Sequence, residues 1–275
     1  MTEAIVLLHP GQMGSSIGAG LVANRHDVVW VTDGRSEATR TRADSAELRA
    51  VDTLTQALDE VANVISVCPP HAAVELAQGV HGVGFEGTYV DANAVAPATA
   101  RRIEAIFGDR YVDGGIVGPP AWTPGATRLY LSGDRAEDVA AWFADGFVDA
   151  RAIAGGPGAA SALKMCYAAF TKGSSALILA IRALAEREGV TDALLAEWDI
   201  SQHGLRDRSI ATARSVSPKA WRFEAEMLEI AATFDGADLP GGFHAAAAEI
   251  YRRMSEAKNI EGGEDIEAVV ARLLS

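Results

Sequence analysis

Short, uninterrupted apolar runs alternate with amphipathic stretches through the first 155 residues. Residues 4–8 (AIVLL), 28–32 (VVWVT) and 64–68 (VISVC) are apolar and rich in β-branched side chains. Each is closed at once by a turn pair: Pro10-Gly11, Asp33-Gly34 and Pro69-Pro70. Such runs predict strands buried on both faces. Residues 89–91, 111–113 and 128–132 read as further strands, the second leading into a Gly/Pro-rich turn. Residues 15–24, 37–48, 53–61, 72–78, 97–107 and 137–145 have helical spacing or composition. This alternation predicts βαβ units and a mainly parallel sheet. The pattern changes at Gly155-Gly156-Pro157-Gly158. Beyond it no strand is predicted, and 159–188, 192–203, 218–233 and 243–258 read as helices, the first unusually long. The expected fold is α/β then all-α: a Rossmann-type doubly wound parallel sheet over 1–155, joined by a long helix to a helical substrate and dimerisation domain over 156–275.

Composition narrows the function. The chain has 275 residues, 49% hydrophobic and 22% charged, enough to build a core without staples. With 24 Lys and Arg against 37 Asp and Glu, the formal charge is −13, which argues against a nucleic-acid partner. Cys68 and Cys166 form no CxxC pair, and the histidines have no ligand spacing, so neither a disulfide framework nor a metal site is expected. The first residues, MTEAIVLLHPGQMG, lack the basic start and cleavage site of a signal peptide. No run of about 18 apolar residues suggests a membrane span. A cytoplasmic protein is expected.

The first apolar run, then Gly11-Gln12-Met13-Gly14, then a helix, reads as the first βα turn of a doubly wound sheet. Gly11 lets the backbone approach a pyrophosphate, the helix N-terminus offers N–H groups, and Gly14 permits close helix–strand packing. The full G-x-G-x-x-G pattern has His9 at its first position, and a purely structural turn is the alternative. The second strand ends in Thr32-Asp33-Gly34-Arg35-Ser36. Arg35 with the Ser36 hydroxyl suits the 2′-phosphate of NADP; Asp33 suits the 2′-hydroxyl of NAD, or caps the next helix. NADP is the favoured cofactor and NAD the alternative. Arg40 and Arg42 read as a solvated helix face.

On the long helix, Lys164, Tyr167, Thr171 and Ser175 fall on one stripe of an otherwise apolar surface. A lysine in such a place is paired, snorkelling or functional; a functional one can pass a proton to a substrate oxygen as hydride moves. Trp221, Arg222 and Phe223 form an aromatic–cation cluster that suits core packing, a dimer contact or a pocket lining.

The segments HPGQMGSSIGAGL, Cys68-Pro69-Pro70, DANAVAP at 91–97, VDGGIVGPP at 112–120 and GAASALKMCYAAFTKG at 158–173 resemble the β-hydroxyacid dehydrogenase superfamily. That superfamily includes 6-phosphogluconate and 3-hydroxyisobutyrate dehydrogenases. PKAWRFEAEMLEIA at 218–231 resembles its phosphogluconate-dehydrogenase-like C-terminal domain, and VDGGIVGPP with TRLYLSG is similar to imine reductases. The resemblance implies cofactor contacts at Gly11, Gln12, Met13, Gly14, Asp33, Arg35, Ser36, Cys68, Pro69 and Asn93. It implies substrate contacts at Gly114, Gly115, Gly118 and Thr171, and a catalytic Lys164 assisted by Asn93 and Tyr167. Departures from the family pattern are His9 for glycine, Tyr167 and Ala168 where asparagine is common, and Val117-Gly118-Pro119 for Ser-Gly-Gly. The implied activity is NADP(H)-dependent hydride transfer to or from a small polar alcohol/carbonyl substrate bearing a carboxylate or phosphate, in a homodimer formed through the helical domain. Imine reduction is the first alternative, and a non-catalytic NADP-binding regulatory protein the second.

Overall fold

Alternation along the first strand, β1 (Ala4–Leu8), divides its side chains between two cores. Ile5 and Leu7 join one apolar cluster, Val6 and Leu8 the other, on opposite faces of the sheet. This explains why the run is continuous rather than alternating: helices cover both faces. The computed structural model describes residues 4–59, 61–258 and 260–275. After β1 come α1 (Gln12–Ala23), β2 (Asp27–Val31), α2 (Glu37–Ser45), β3 (Arg49–Val51), α3 (Leu54–Leu58), β4 (Asn63–Ser66), α4 (Ala73–Gly82), β5 (Thr88–Asp91) and α5 (Pro97–Phe107). Then follow β6 (Tyr111–Val117), β7 (Thr127–Ser132), α6 (Ala136–Ala141) and β8 (Val148–Ala152).

The eight strands form one sheet in the order β3-β2-β1-β4-β5-β6-β7-β8. All neighbours run parallel except β6 and β7, which are antiparallel. The chain leaves β1 on one side toward β3 and returns on the other to β4. That reversal opens a crevice at the carboxyl ends of β1 and β4, the usual ligand position in open α/β sheets.

The remaining helices are α7 (Ala159–Arg187), α8 (Thr191–Ser201), α9 (Leu205–Val216), α10 (Ala220–Asp235), α11 (Gly242–Arg253) and α12 (Ile266–Leu274). The chain divides into two compact units, 1–165 and 166–275, the division falling within α7. By length and composition α7 would suffice to cross a membrane, yet Met165, Ala168, Ala176 and Leu179 along it are buried in protein. Within the second unit, Lys172 Nζ pairs with Glu226 Oε1 at 2.7 Å, and Tyr251 Oη donates to the Lys172 carbonyl at 2.7 Å. Phe223 lies under both the Lys172 ammonium and the Arg222 guanidinium. The aromatic–cation cluster is thus tied to α7 by packing and charge.

Candidate active site

The glycine turn joins β1 to α1. His9 occupies the turn's first position with φ +69°, a left-handed conformation that histidine tolerates better than most side chains. Gly14 is required by close approach: a Cβ there would overlap the His9 carbonyl oxygen. Gly11 is the N-cap of α1 and no side chain caps that end. Space above Gly11 is open, Gln12 is exposed and Met13 half-buried. An uncapped helix N-terminus beside an open glycine suits a pyrophosphate. Two further atoms await a partner: His9 Nδ1 and Arg35 Nε are buried without a hydrogen bond. These features fit a dinucleotide. Burial and the neighbouring Arg35 charge lower the His9 pKa to about 4, so the imidazole beside Arg35 is neutral.

The end of β2 is built around hydroxyls and guanidiniums. Ser36, not Asp33, is the N-cap of α2, its Oγ accepting the Thr39 N–H at 3.3 Å. Asp33 is exposed. Arg40 and Arg42 depart from a solvated face. Arg40 Nη2 donates to the Thr32 carbonyl at 3.1 Å. Arg42 reaches back to the Pro10 carbonyl of the glycine turn at 3.5 Å and donates to Thr39 Oγ1 at 3.1 Å. Arg35, Ser36, Thr39 and Arg42 therefore gather at one strand end, and sequence reasoning missed the last two. The signal was the helical spacing of Ser36, Thr39 and Arg42.

Asn93 is tied into the two strand ends. Its side chain is 2% exposed. Oδ1 accepts the Cys68 N–H at 2.5 Å and Nδ2 donates to Ser66 Oγ at 3.1 Å, so the amide clamps the β4 and β5 loops together. The Asn93 N–H in turn donates to Asp91 Oδ1 at 2.9 Å. Cys68 is buried, and desolvation pushes its thiol up to about 12, which makes it an inert part of the loop. Pro69 follows it, exposed, at the head of a short 3-10 turn.

Asp113, on β6, anchors the start of α7. It accepts from Gly158 N at 2.9 Å, Ser161 N at 2.9 Å, Ser161 Oγ at 2.6 Å and Ser132 Oγ at 3.2 Å. Ser132 Oγ also accepts the Ala160 N–H at 3.0 Å. A carboxylate and a hydroxyl from two strands thereby satisfy the amides at the helix end. One turn on, half-buried Lys164 packs against β6 where Gly115 leaves room. A Cβ on Gly115 would stand 2.7 Å from the Ala160 carbonyl oxygen and 3.0 Å from Lys164 Cβ. Gly114 and Gly115 are both buried, Gly118 is exposed, and the loop beyond is tied to α1 by the Ala121 N–H donating to Ser16 Oγ at 2.8 Å. Gly115 thus seats the lysine, a role the sequence reading did not assign.

The expected residues of the second unit are less engaged. Tyr167 is 48% exposed. Thr171 Oγ1 bonds back to the Tyr167 carbonyl at 3.1 Å, and Ser175 Oγ to the Thr171 carbonyl at 2.8 Å. Both hydroxyls are turned onto their own helix. Among the described residues no group of three His, Cys, Asp or Glu is close enough to hold a metal ion.

The residues of the first unit lie at the carboxyl ends of β2, β1, β4 and β5 and along β6, five adjacent strands. This sheet, with its helical C-terminal unit, has the fold of the 3-hydroxyisobutyrate dehydrogenases and imine reductases. The 3-hydroxyisobutyrate dehydrogenase of Mycobacterium tuberculosis, solved with L-serine, superposes with a TM-score of 0.71 at 17% identity, covering 100% of each chain. A reductive aminase of Aspergillus terreus, solved with NADPH and ethyl levulinate, gives 0.57 at 19% identity over 98% of this chain and 99% of that one. Residues 185–254 match a family described as a domain of unknown function (DUF1932). An uncharacterized 28.5 kDa protein in the 7S RNA 5′ region of Methanothermus fervidus is 27% identical over 186 residues, 67% of this chain and 72% of that protein.

Proposed function

We propose that the protein is an NADP(H)-dependent oxidoreductase that transfers hydride to or from a small polar alcohol/carbonyl substrate. The observation that carries this reading is the seating of Lys164. Asp113 fixes the first turn of its helix and Gly115 admits its stem to the side of β6. The nicotinamide, when bound, supplies or accepts the hydride. The chain's own residues do the rest. Gly11, Gly14 and the α1 N-terminus receive the pyrophosphate. The Asn93 clamp fixes the loops after β4 and β5. The Lys164 ammonium holds the substrate oxygen and gives it a proton in reduction, and the amine takes that proton back in oxidation. Arg35, Ser36, Thr39 and Arg42 offer two guanidiniums and two hydroxyls to a 2′-phosphate, which supports NADP over NAD. The homologous folds solved with NADPH and with NAD+ support a nicotinamide cofactor.

Imine reduction is the second reading. It is favoured by the likeness to the reductive aminase fold and by buried Val117, an apolar side chain at the first position of the segment that is Ser-Gly-Gly in the dehydrogenase pattern. One set of assays separates these. NADPH and NADH are titrated by fluorescence against wild type, Arg35→Ala and Lys164→Ala, and turnover is followed with 3-oxo acids and with cyclic imines. NADPH should bind more tightly than NADH, and Arg35→Ala should erase that preference. Lys164→Ala should keep its NADPH affinity and lose roughly 10²–10⁴-fold in kcat. Turnover of imines alone would replace the dehydrogenase reading. Tight NADPH binding with no turnover of either class would leave a regulatory nucleotide-binding protein.

A further inference from the structure

Strand β5 ends and strand β6 begins with the same tripeptide, Tyr-Val-Asp, and parallel pairing sets Tyr89 beside Tyr111, Val90 beside Val112 and Asp91 beside Asp113. Both aspartates are buried, at 1% and 0% exposure. Neighbouring strands lie about 4.8 Å apart, too close for two unscreened negative charges away from water. The hydrogen-bond donors are unequally divided. Asp113 takes four, from Gly158, Ser161 (N–H and Oγ) and Ser132. Asp91 takes the Asn93 N–H at Oδ1, while its Oδ2 is buried without a partner. The groups bearing on Asp91 include Asp113 and Tyr111 from β6, Tyr89 from its own strand and Cys68 from the loop after β4. Glu104 of α5 bears on Tyr111. From the chain entering α7, Asp113 meets N–H and O–H donors, with the Lys164 stem one turn further along and the Arg101 guanidinium of α5 on the far side of Gly158.

We propose that Asp91 and Asp113 hold a single proton between them, resident on Asp91, and that this pair positions the site by locking the Asn93 loop and the lysine-bearing helix to adjacent strands. Asp113, ionised, keeps its donors and with them the first turn of α7. Asp91, neutral, accepts the Asn93 N–H without placing a second charge beside Asp113. Burial, with the Asp113 charge adding to it, raises the Asp91 carboxyl to about 7, the Asn93 N–H pulling partly the other way. Loss of the proton puts two charges side by side and loosens both attachments. The functional consequence rests on the reading of this strand edge as a dinucleotide site. An anionic cofactor there also favours neutral Asp91, so its binding takes up a proton and its affinity falls as Asp91 ionises.

The proton and its consequence are tested separately. Infrared spectra of wild type between about pH 5.5 and about pH 9 should contain a buried protonated-carboxyl band that titrates with a midpoint near 7 and is missing from Asp91→Asn. Asp113→Asn removes the neighbouring charge, so the band's midpoint should fall by at least about one pH unit. In fluorescence titrations, the wild-type Kd for NADPH should rise about tenfold between pH 6 and pH 8.5 and by less than about threefold in Asp91→Asn. That variant keeps an oxygen to accept the Asn93 N–H, so a merely structural role predicts no change in the profile. A band that survives in Asp91→Asn, a midpoint unmoved in Asp113→Asn, or a wild-type pH profile in Asp91→Asn overturns the proposal. If NADPH fails to bind at any pH, the cofactor reading falls, and the band still decides whether the carboxyl pair holds a proton.

Discussion

His9 stands where the dinucleotide pattern calls for glycine, and two opposing effects meet there. Its φ of +69° costs an L-residue about 1–2 kcal/mol relative to glycine, while glycine surrenders about 0.5–1 kcal/mol more backbone entropy on folding. His9→Gly should therefore lie within about 1 kcal/mol of wild type near neutral pH. At acid pH the variants separate. Burial lowers the His9 pKa from 6.5 to about 4, so between those values the unfolded chain binds a proton that the folded chain does not. His9 thus contributes stability that is present above pH 6.5 and lost as pH falls toward 4. Urea denaturation at pH 7.5 and 4.5 should find the variant gaining on the order of 1–2 kcal/mol on wild type at the lower pH. An unchanged difference between the two pH values would mean that the imidazole does not titrate in this window. The turn was legible in the sequence because the spacing of Gly11 and Gly14 survives the substitution. The neutral state of His9 was not, because it depends on burial and on the approach of Arg35 from the loop after β2. Asp91 was legible as a strand end and Asp113 as a strand residue; only the register, which no single-strand pattern contains, brought them together.

At the scale of elements, legibility followed apolar density. β1, β2, β4 and α7 were read nearly to their ends because each is a continuous apolar run or a long amphipathic one. β3 and β8 were missed. They are edge strands of three and five residues with mostly part-exposed side chains, so they carry no apolar run to find. β6 was read as ending at 113 because Gly114 and Gly115 are weak strand formers, yet it continues to Val117, fully buried throughout. That misreading concealed the packing of α7 on β6. The contact makes Gly115→Ala an informative change. The new Cβ must displace the Ala160 carbonyl and the Lys164 stem, while the glycine turn and the end of β2 are untouched. Since a displacement of about 1 Å can cost about 10²-fold in rate, kcat should fall about 10–100-fold with the NADPH Kd within about threefold of wild type. Parallel loss of kcat and NADPH affinity would show instead that the strand edge deforms as one piece.

At the scale of the whole molecule, exposed apolar surface is unevenly distributed. Of twelve exposed large apolar side chains among the described residues, ten lie beyond Met165, in the second unit. Phe170, Leu177 and Leu184 recur every seven residues along α7, the spacing that keeps one face of a helix toward a partner. Beside them a groove of about 410 Å³ runs between α7 and α11, floored by Gly173, Ala176, Ala180, Ala246 and Ala247 and flanked by Phe243, which is 74% exposed. A protruding ring next to a groove of small residues is self-complementary, the arrangement a two-fold contact needs. Homodimerisation through this unit is the expected outcome, and charge tells how it should respond to salt. Each copy carries a formal charge of −13, so two copies repel at long range and must be held by apolar contact at short range. Raising NaCl from about 50 mM to about 500 mM should therefore tighten the dimer, because the shorter Debye length screens the repulsion and leaves the apolar contact intact. Sedimentation of wild type and Leu177→Arg across that range tests this: a guanidinium at the centre of the stripe should yield monomer at every salt concentration. A dimer that weakens as salt rises would require an interface built on ion pairs, located elsewhere than on α7 and α11.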